Sequence, residues 1–245
     1  MGVNGLFTLV KKYSKKQKIS DAIEGRKLGI DIFWFIHKSK GNPDVIKEML
    51  SEYIDKCEKG VFVFDGKVSE ERKPELSALK EKRATTLKLI KKLEDDANKL
   101  DDDANLAEKH KLKEYIEKLR IQSWAPKGNY VEKVKEKIRD WWPDKNRIIV
   151  APYEADLYFG ELLNNKMIDC IISNDSDMLA LGYNNVVRPL DERGFAQTYN
   201  LQTILNGFKM NKKDWFHFIE ICRRYNGADI LVPYSYWRVY RNYPH

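Results

Sequence analysis

The sequence predicts an α/β fold, a mostly parallel twisted sheet flanked by helices, with a long helical insertion in its middle. Three observations carry this prediction. Short apolar runs rich in β-branched residues recur at strand length, as they do in strands buried on both faces. The stretches between them have helical periodicity, which is the order of a doubly wound sheet. From Glu75 to about Trp141 no strand candidate occurs at all.

Taken in order, the strand candidates are Lys27 to Phe33 (KLGIDIF), Gly60 to Phe64 (GVFVF), Arg147 to Val150 (RIIV) and Ile168 to Ser173 (IDCIIS). The insertion, residues 75–141, opens with Leu76, Leu79, Thr86, Ile90, Leu93, Ala97 and Leu100. Their spacings near three and four mark an amphipathic helix. A second such run holds Leu106, Leu112, Tyr115, Ile116 and Leu119. Asp101, Asp102, Asp103 and Asn105 form a turn between the two, so an antiparallel helical hairpin projecting from the sheet is expected. A further helix, Tyr130 to Trp142, returns the chain to the strand at Arg147. The chain has 245 residues without internal repeats or low-complexity linkers, which predicts a single domain over 1–245.

Composition narrows the function classes. No run approaches the roughly 18 apolar residues that a membrane span requires. Met1 to Leu9 lacks the basic-then-apolar order of a signal peptide, so a soluble intracellular protein is expected. Gly2 follows Met1, but Leu6 stands where a myristoylation signal has Ser or Thr. Cys57, Cys170 and Cys222 are scattered beside apolar residues and read as reduced core thiols. His37, His110, His217 and His245 are too far apart to suggest a zinc site. Lys and Arg total 44 against 37 Asp and Glu, a net +7, and a basic surplus points to a polyanionic partner.

The informative feature is where the acids fall. Asp31 interrupts an apolar strand, Asp65 ends one directly before Gly66, Glu154 and Asp156 follow a third, and Asp175 and Asp177 a fourth. In an open parallel sheet ligands bind at the carboxyl ends of the strands, so all six acids converge. A single acid there is commonly a helix cap or turn former. Six together repel and desolvate one another unless cations neutralise them. Oxygen ligands without His or Cys favour Mg²⁺ or Mn²⁺ over Zn²⁺. Two such ions activate a water and stabilise the leaving oxygen of an in-line displacement, an apparatus suited to phosphodiester cleavage. The basic surplus would face the phosphates.

The same residues carry a resemblance. Met-Gly-Val-Asn-Gly-Leu at the start, Gly-Ile-Asp31 with Trp34 and His37-Lys38, Val-Phe-Asp65-Gly-Lys, Ala-Pro-Tyr-Glu154-Ala-Asp156 and Ser-Asn-Asp175-Ser-Asp177-Met-Leu-Ala-Leu-Gly resemble the 5′ nuclease superfamily of flap endonucleases and exonuclease 1. The Ala-Pro-Tyr-Glu-Ala-Asp string and His37-Lys38 are most similar to the exonuclease 1 branch. The likeness spans Met1 to about Asp229.

This resemblance implies a PIN-like 5′ nuclease core with a helical arch and two Mg²⁺ ions, for which Mn²⁺ may substitute. It implies that Asp31, Asp65, Glu154 and Asp156 hold one ion, and Asp175, Asp177 and Asp229 the other, with some acids shared between them. Asp229 lies in Asn-Gly-Ala-Asp-Ile, similar to a Gly-x-Asp-Tyr element of the family. It also implies that Gly2 packs near the active site and that His37 stacks on a base near the cleavage point. Trp34 and Phe35 read as core. Two basic residues are implied seven and fourteen positions after Asp65, where Arg72 and Leu79 stand. A one-residue slip gives Lys73 and Lys80, seven apart on one helical face, with Arg72 and Arg83 as alternates. Lys82, Arg83, Lys88, Lys91, Lys92, Lys109, Lys111 and Lys113 would line the arch and contact the 5′ strand.

Residues 225–245 depart from the pattern. A helix-two-turn-helix region with a Gly-x-Gly hairpin is implied there, yet Leu-Val-Pro-Tyr-Ser-Tyr-Trp-Arg-Val-Tyr-Arg-Asn-Tyr-Pro-His has no glycine. Close backbone approach to a phosphate needs glycine. Tyr234, Tyr236, Trp237 and Tyr240 read as a packed aromatic helix in preference to a base-stacking surface with Arg238 and Arg241. The expectation is therefore a monomeric 5′ to 3′ exodeoxyribonuclease and flap endonuclease acting on DNA with 5′ ends, flaps, nicks or gaps, in replication, repair or recombination. No sliding-clamp motif is visible, and a nuclear location is implied if the source is eukaryotic. Its alternatives are a 5′ to 3′ exoribonuclease using the same acids and a non-catalytic nucleic-acid scaffold, which would have no reason to retain repelling carboxylates.

Overall fold

The computed structural model describes residues 3–68, 70–99, 106–126, 128–143, 146–190, 194–224 and Tyr234. Its strands are β1 Lys15–Lys18, β2 Lys27–Asp31, β3 Lys59–Phe64, β4 Asn146–Val150, β5 Cys170–Ile172, β6 Val186–Pro189 and β7 Phe195–Tyr199. They form one seven-stranded sheet in the order β1-β7-β6-β5-β2-β3-β4. Strands β2 to β6 run parallel, β7 is antiparallel to β6, and β1 is antiparallel to β7. A mixed α/β fold built on a mostly parallel sheet is thus the architecture.

The strands are two-faced in the alternating sense that pleating requires. Val61 and Val63 of β3 enter one hydrophobic core, while Phe62 and Phe64 enter the other. Ile171 of β5 likewise opposes Cys170 and Ile172. Helices α1 Leu6–Val10, α8 Ala155–Asn164, α9 Asp177–Ala180, α10 Leu201–Phe208 and α11 Lys212–Arg224 cover the first face. Helices α2 Ile19–Ile23, α3 Ile32–Lys38, α4 Pro43–Ile54 and α7 Tyr130–Trp141 cover the second. Each fully buried Phe, Leu or Ile in these layers contributes about 1.5–3 kcal/mol of transfer free energy. Gly29 of β2 makes the first layer fit, because a Cβ there would stand 2.5 Å from the Ile168 side chain and 3.0 Å from Phe159 of α8. All three cysteines are buried and unbridged, as read.

Strands β1, β6 and β7 are additions to the sequence reading. β1 is KKQK, with no apolar residue to mark it, and β6 and β7 pair through backbone bonds that side-chain pattern does not encode. Other strands are shorter than expected: β2 stops at Asp31, where α3 begins, and β5 keeps only Cys170–Ile172.

Between β3 and β4 lie α5 Lys73–Lys99 and α6 Leu106–Ser123, joined by residues outside the described set. They share a small core of their own: Ile90, Ala97 and Ile116, with Leu93, Leu112 and Leu119 against it. Arg83 Nε donates to Ser123 O at 2.7 Å, joining the start of α5 to the end of α6 as an antiparallel pair demands. Helix α7, read as part of the insertion, instead packs Val134 and Ile138 into the second main core.

Candidate active site

The chain runs from β2 outward to β3 and β4, then lays β5 against the other side of β2. Beyond the carboxyl ends of β2 and β5 the strand order switches direction, the place where open sheets form a crevice. Asp31 is the last residue of β2, Asp65 follows β3, and Asp175 lies just past β5. Glu154 and Asp156 sit at the start of α8 after β4. A cavity of about 820 Å³ opens there, lined among others by Asp31, Asp65, Asp156 and Asp175. An adjoining pocket of about 290 Å³ carries Glu154, Asp156 and Asp177.

Local bonds fix these carboxylates in place. Asp31 stands at the N-cap position of α3 without closing a side-chain capping bond. Its Oδ2 instead accepts from Ser173 Oγ at 2.8 Å, and Ser173 Oγ accepts in turn from Asp175 N at 3.0 Å. Asp175 Oδ1 accepts from Asp177 N at 2.9 Å. Asp65 Oδ1 accepts from Ala155 N at 2.9 Å, so the positive end of α8 holds this carboxylate. Gly66 permits that approach: its amide donates to Tyr153 O at 2.8 Å, and a Cβ would fall 1.7 Å from Ala151 O. A side chain at position 66 would push the β4–α8 connection, and Glu154 with it, away from Asp65.

The electrostatics match a cluster short of positive charge. Burial, and then the charges of Asp31, Asp175, Asp65 and Asp177, push Asp156 up to about 8. Asp31 rises to about 6, through burial and repulsion from Asp175 and Asp65, against the Ser173 bond that lowers it. Asp177 is also raised by burial and by Asp175. Carboxylate oxygens of Asp156, Asp175 and Asp177 lie within 4.8 Å of one another, close enough to share a cation. This donor set, hard and oxygen-only with raised pKa values, fits a divalent cation of the Mg²⁺ class.

Among the basic candidates the structure separates Arg72 from the rest. Arg72 lines both cavities and its Nη1 lies 2.7 Å from Glu154 Oε2. Lys73 faces outward in an ion pair with Glu70, and Lys80 is exposed; neither lines either cavity. Of Arg72, Lys73 and Lys80, Arg72 alone lines the cavity, because the 3-10 turn Glu70–Arg72 aims it inward. Arg83 pins α6 through Ser123. Lys82, Lys88, Lys91 and Lys92 are exposed along α5, away from the cavity lining. Lys111 and Lys113 are exposed on α6.

His37 lines the cavity, with its ring edge-on to Trp124 at 5.5 Å and its pKa lowered by burial and by Arg83. Phe35 is core, as read, but Trp34 is only half-buried and lines the cavity. Phe7 and Arg188 were missed as well; the Arg188 guanidinium lies 4.4 Å from the Phe7 ring centroid in the cavity wall. Recognising β6 would have exposed Arg188, the cation in an otherwise apolar VVRP strand. Arg223 of α11, 3.1 Å from Asp177 Oδ1, had no sequence signal, since 46 residues separate the two. Gly2, Asp229 and the expected helix-two-turn-helix region lie outside the described residues, except Tyr234. Tyr234 packs edge-on against Phe208 and Phe218, at 5.3 and 6.1 Å. No helix among the described residues is long and apolar enough to cross a membrane.

Comparison with known proteins places this geometry. The XPG I-region family matches residues 146–229, which include Glu154, Asp156, Asp175 and Asp177. Exodeoxyribonuclease 1 of Schizosaccharomyces pombe is 28% identical over 86% of the chain, and Exonuclease 1 of Xenopus laevis is 27% identical over 79%. The chain spans only 36% and 26% of those relatives' lengths. The catalytic core of Rad2 in complex with DNA substrate superposes with a TM-score of 0.60 at 17% identity, covering 94% of this chain and 63% of that one.

Proposed function

We propose that this chain is a structure-specific 5′ nuclease on the exonuclease 1 side of that superfamily, and that its acidic cavity hydrolyses DNA phosphodiesters at or near 5′ ends with divalent cations bound. The observation that carries the reading is the convergence of Asp31, Asp65, Asp156 and Asp175 on one cavity at the sheet's switch point. Asp31, Asp65, Glu154 and Asp156 would hold one Mg²⁺, and Asp175 and Asp177, joined by Asp229, a second. Bound there, the cations supply charge that activates a water and stabilises the leaving oxygen.

The chain's own groups do the positioning. Ser173 fixes the Asp31 carboxylate, the Ala155 amide fixes Asp65, and the Asp177 amide fixes Asp175. Asp156, pushed up to about 8 by burial and the neighbouring carboxylates, would have to release its proton to serve as a ligand, so cation affinity should rise with pH. Arg72 presents a guanidinium fork to the phosphate undergoing displacement. Trp34, Phe7 and His37 give one wall of the cavity aromatic faces for the adjoining nucleotide. The lysines of α5 and α6 guide the 5′ strand through an arch, and the substrates are 5′ ends, flaps, nicks and gaps met in replication, repair or recombination.

The test compares degradation of matched 5′-phosphorylated DNA and RNA oligonucleotides, and of nicked, gapped and 5′-flap duplexes, with Mg²⁺ and with chelator. DNA cleavage that requires Mg²⁺ is expected, and preference for RNA would overturn the substrate assignment. Asp175→Ala should lower the cleavage rate at least about a hundredfold, the scale on which an electrostatic catalytic group acts, while DNA binding is kept. Unchanged turnover in that variant would remove the site assignment.

A further inference from the structure

We propose that the lysine-rich segment running from α1 into the edge strand β1 is a second DNA-binding surface, gripping the phosphate backbone of duplex DNA outside the acidic cavity. Residues 11–18 read KKYSKKQK, five lysines in eight residues with no acid among them. Lys11, Lys12, Lys15, Lys16 and Lys18 are all exposed. Among the described residues strand β1 ends the sheet, pairing with β7 alone.

A lysine on an edge strand has a structural use, since it blocks edge-to-edge association. Three features go beyond that use. The positive charge starts before the strand, at Lys11 and Lys12 in a 3-10 turn that has no open edge to protect. Beside the strand lies a pocket of about 420 Å³ lined by Lys12, Lys15 and Arg26 together with Gln17, Asn200 and Thr203, with no carboxylate among the described lining residues. Cations, amides and hydroxyls without an acid form a lining matched to a phosphate. Third, the segment continues directly from α1, whose Leu6, Phe7 and Thr8 line the acidic cavity. DNA entering that cavity therefore has a basic surface on the same stretch of chain.

The choice of DNA as the polyanion rests on the nuclease reading above; the binding measurement does not require turnover.

The experiment is fluorescence anisotropy of the 245-residue chain with a labelled duplex oligonucleotide in EDTA, from 50 to 200 mM salt. The slope of log K against log salt falls by about 0.9 for each phosphate contact removed. Lys12→Gln/Lys15→Gln/Lys18→Gln should therefore lose roughly 2 to 3 of that slope and bind about tenfold or more weakly at the low-salt end. The matching Lys→Arg triple should keep the slope, and Lys47→Gln/Lys56→Gln/Lys137→Gln, the same charge change elsewhere on the exposed surface, should leave it unaltered. An equal loss in both Gln triples would reduce the effect to net charge and overturn the proposal. So would an unchanged slope accompanied by self-association on size-exclusion, which would leave edge protection as the segment's whole role. If the Mg²⁺ cleavage assay fails while the slope still drops in the first triple alone, the nuclease reading falls and the binding surface stands.

Discussion

Asp156 and Asp31 keep their protons, up to about pH 8 and pH 6, through a range in which an unfolded chain with carboxyls near 3.8 has lost them. Their pKa values are raised on folding, so the stability they contribute is complete below about pH 4 and is lost as pH rises through 6 and 8. In chelator, thermal melts should fall between pH 5 and pH 8. Asp156→Asn, which mimics the protonated acid, should be more stable than wild type by an amount that grows over that interval to about a few kcal/mol. A difference that stayed flat with pH would contradict the burial argument. Arg72 and Lys73 provide a second contrast at this scale, since adjacent residues point to different places. Arg72→Ala should reduce cleavage roughly a hundredfold to a thousandfold, the range found for donors at developing charge, and Lys73→Ala only slightly. The reverse ranking in a single-turnover assay would restore the slipped register.

At the scale of elements, the α5–α6 pair rests, among the described residues, on a small core separate from the two that flank the sheet. Little burial means low local stability, so this hairpin should open without the rest of the fold. Ile90→Ala truncates a buried side chain of this core and should cost about 2–4 kcal/mol locally. Hydrogen exchange should quicken across α5 and α6 while protection of β2, β3 and β5 is kept. Loss of protection in all of them together would show that the hairpin and sheet unfold as one unit. Such a weakly anchored pair, tied at its base by Arg83 to Ser123, should be the first part of the fold to open.

For the molecule as a whole, cations that bind the folded acid cluster and not the unfolded chain must stabilise the fold by mass action. At a hundred times the dissociation constant the gain is about 2.7 kcal/mol. Mg²⁺ should therefore raise the melting temperature saturably, more at pH 8 than at pH 5, because entry at the lower pH must displace the protons on Asp156 and Asp31. Asp175→Ala should blunt the response. An equal rise in wild type and variant would point to general ionic screening instead of the cluster.

The sequence by itself determined the buried strands β2 to β5, the two long helices between β3 and β4, and the acids at the strand ends. It could do so because burial on both faces forces continuous apolar runs, and an acid set into such a run stands out. Its resemblance to known nucleases added roles that no periodicity encodes. Tertiary structure alone decided that β1, β6 and β7 complete the sheet, since a strand of lysines is held by backbone bonds and carries no apolar signature. It also decided which cation faces the acids: one residue at the junction of the 3-10 turn and α5, roughly 100–120° of rotation, separates Arg72 in the cavity from Lys73 in solvent. The meeting of Arg223 with Asp177 and the fit of Gly66 against Ala151 depend on distances between segments far apart in the chain, which only packing sets.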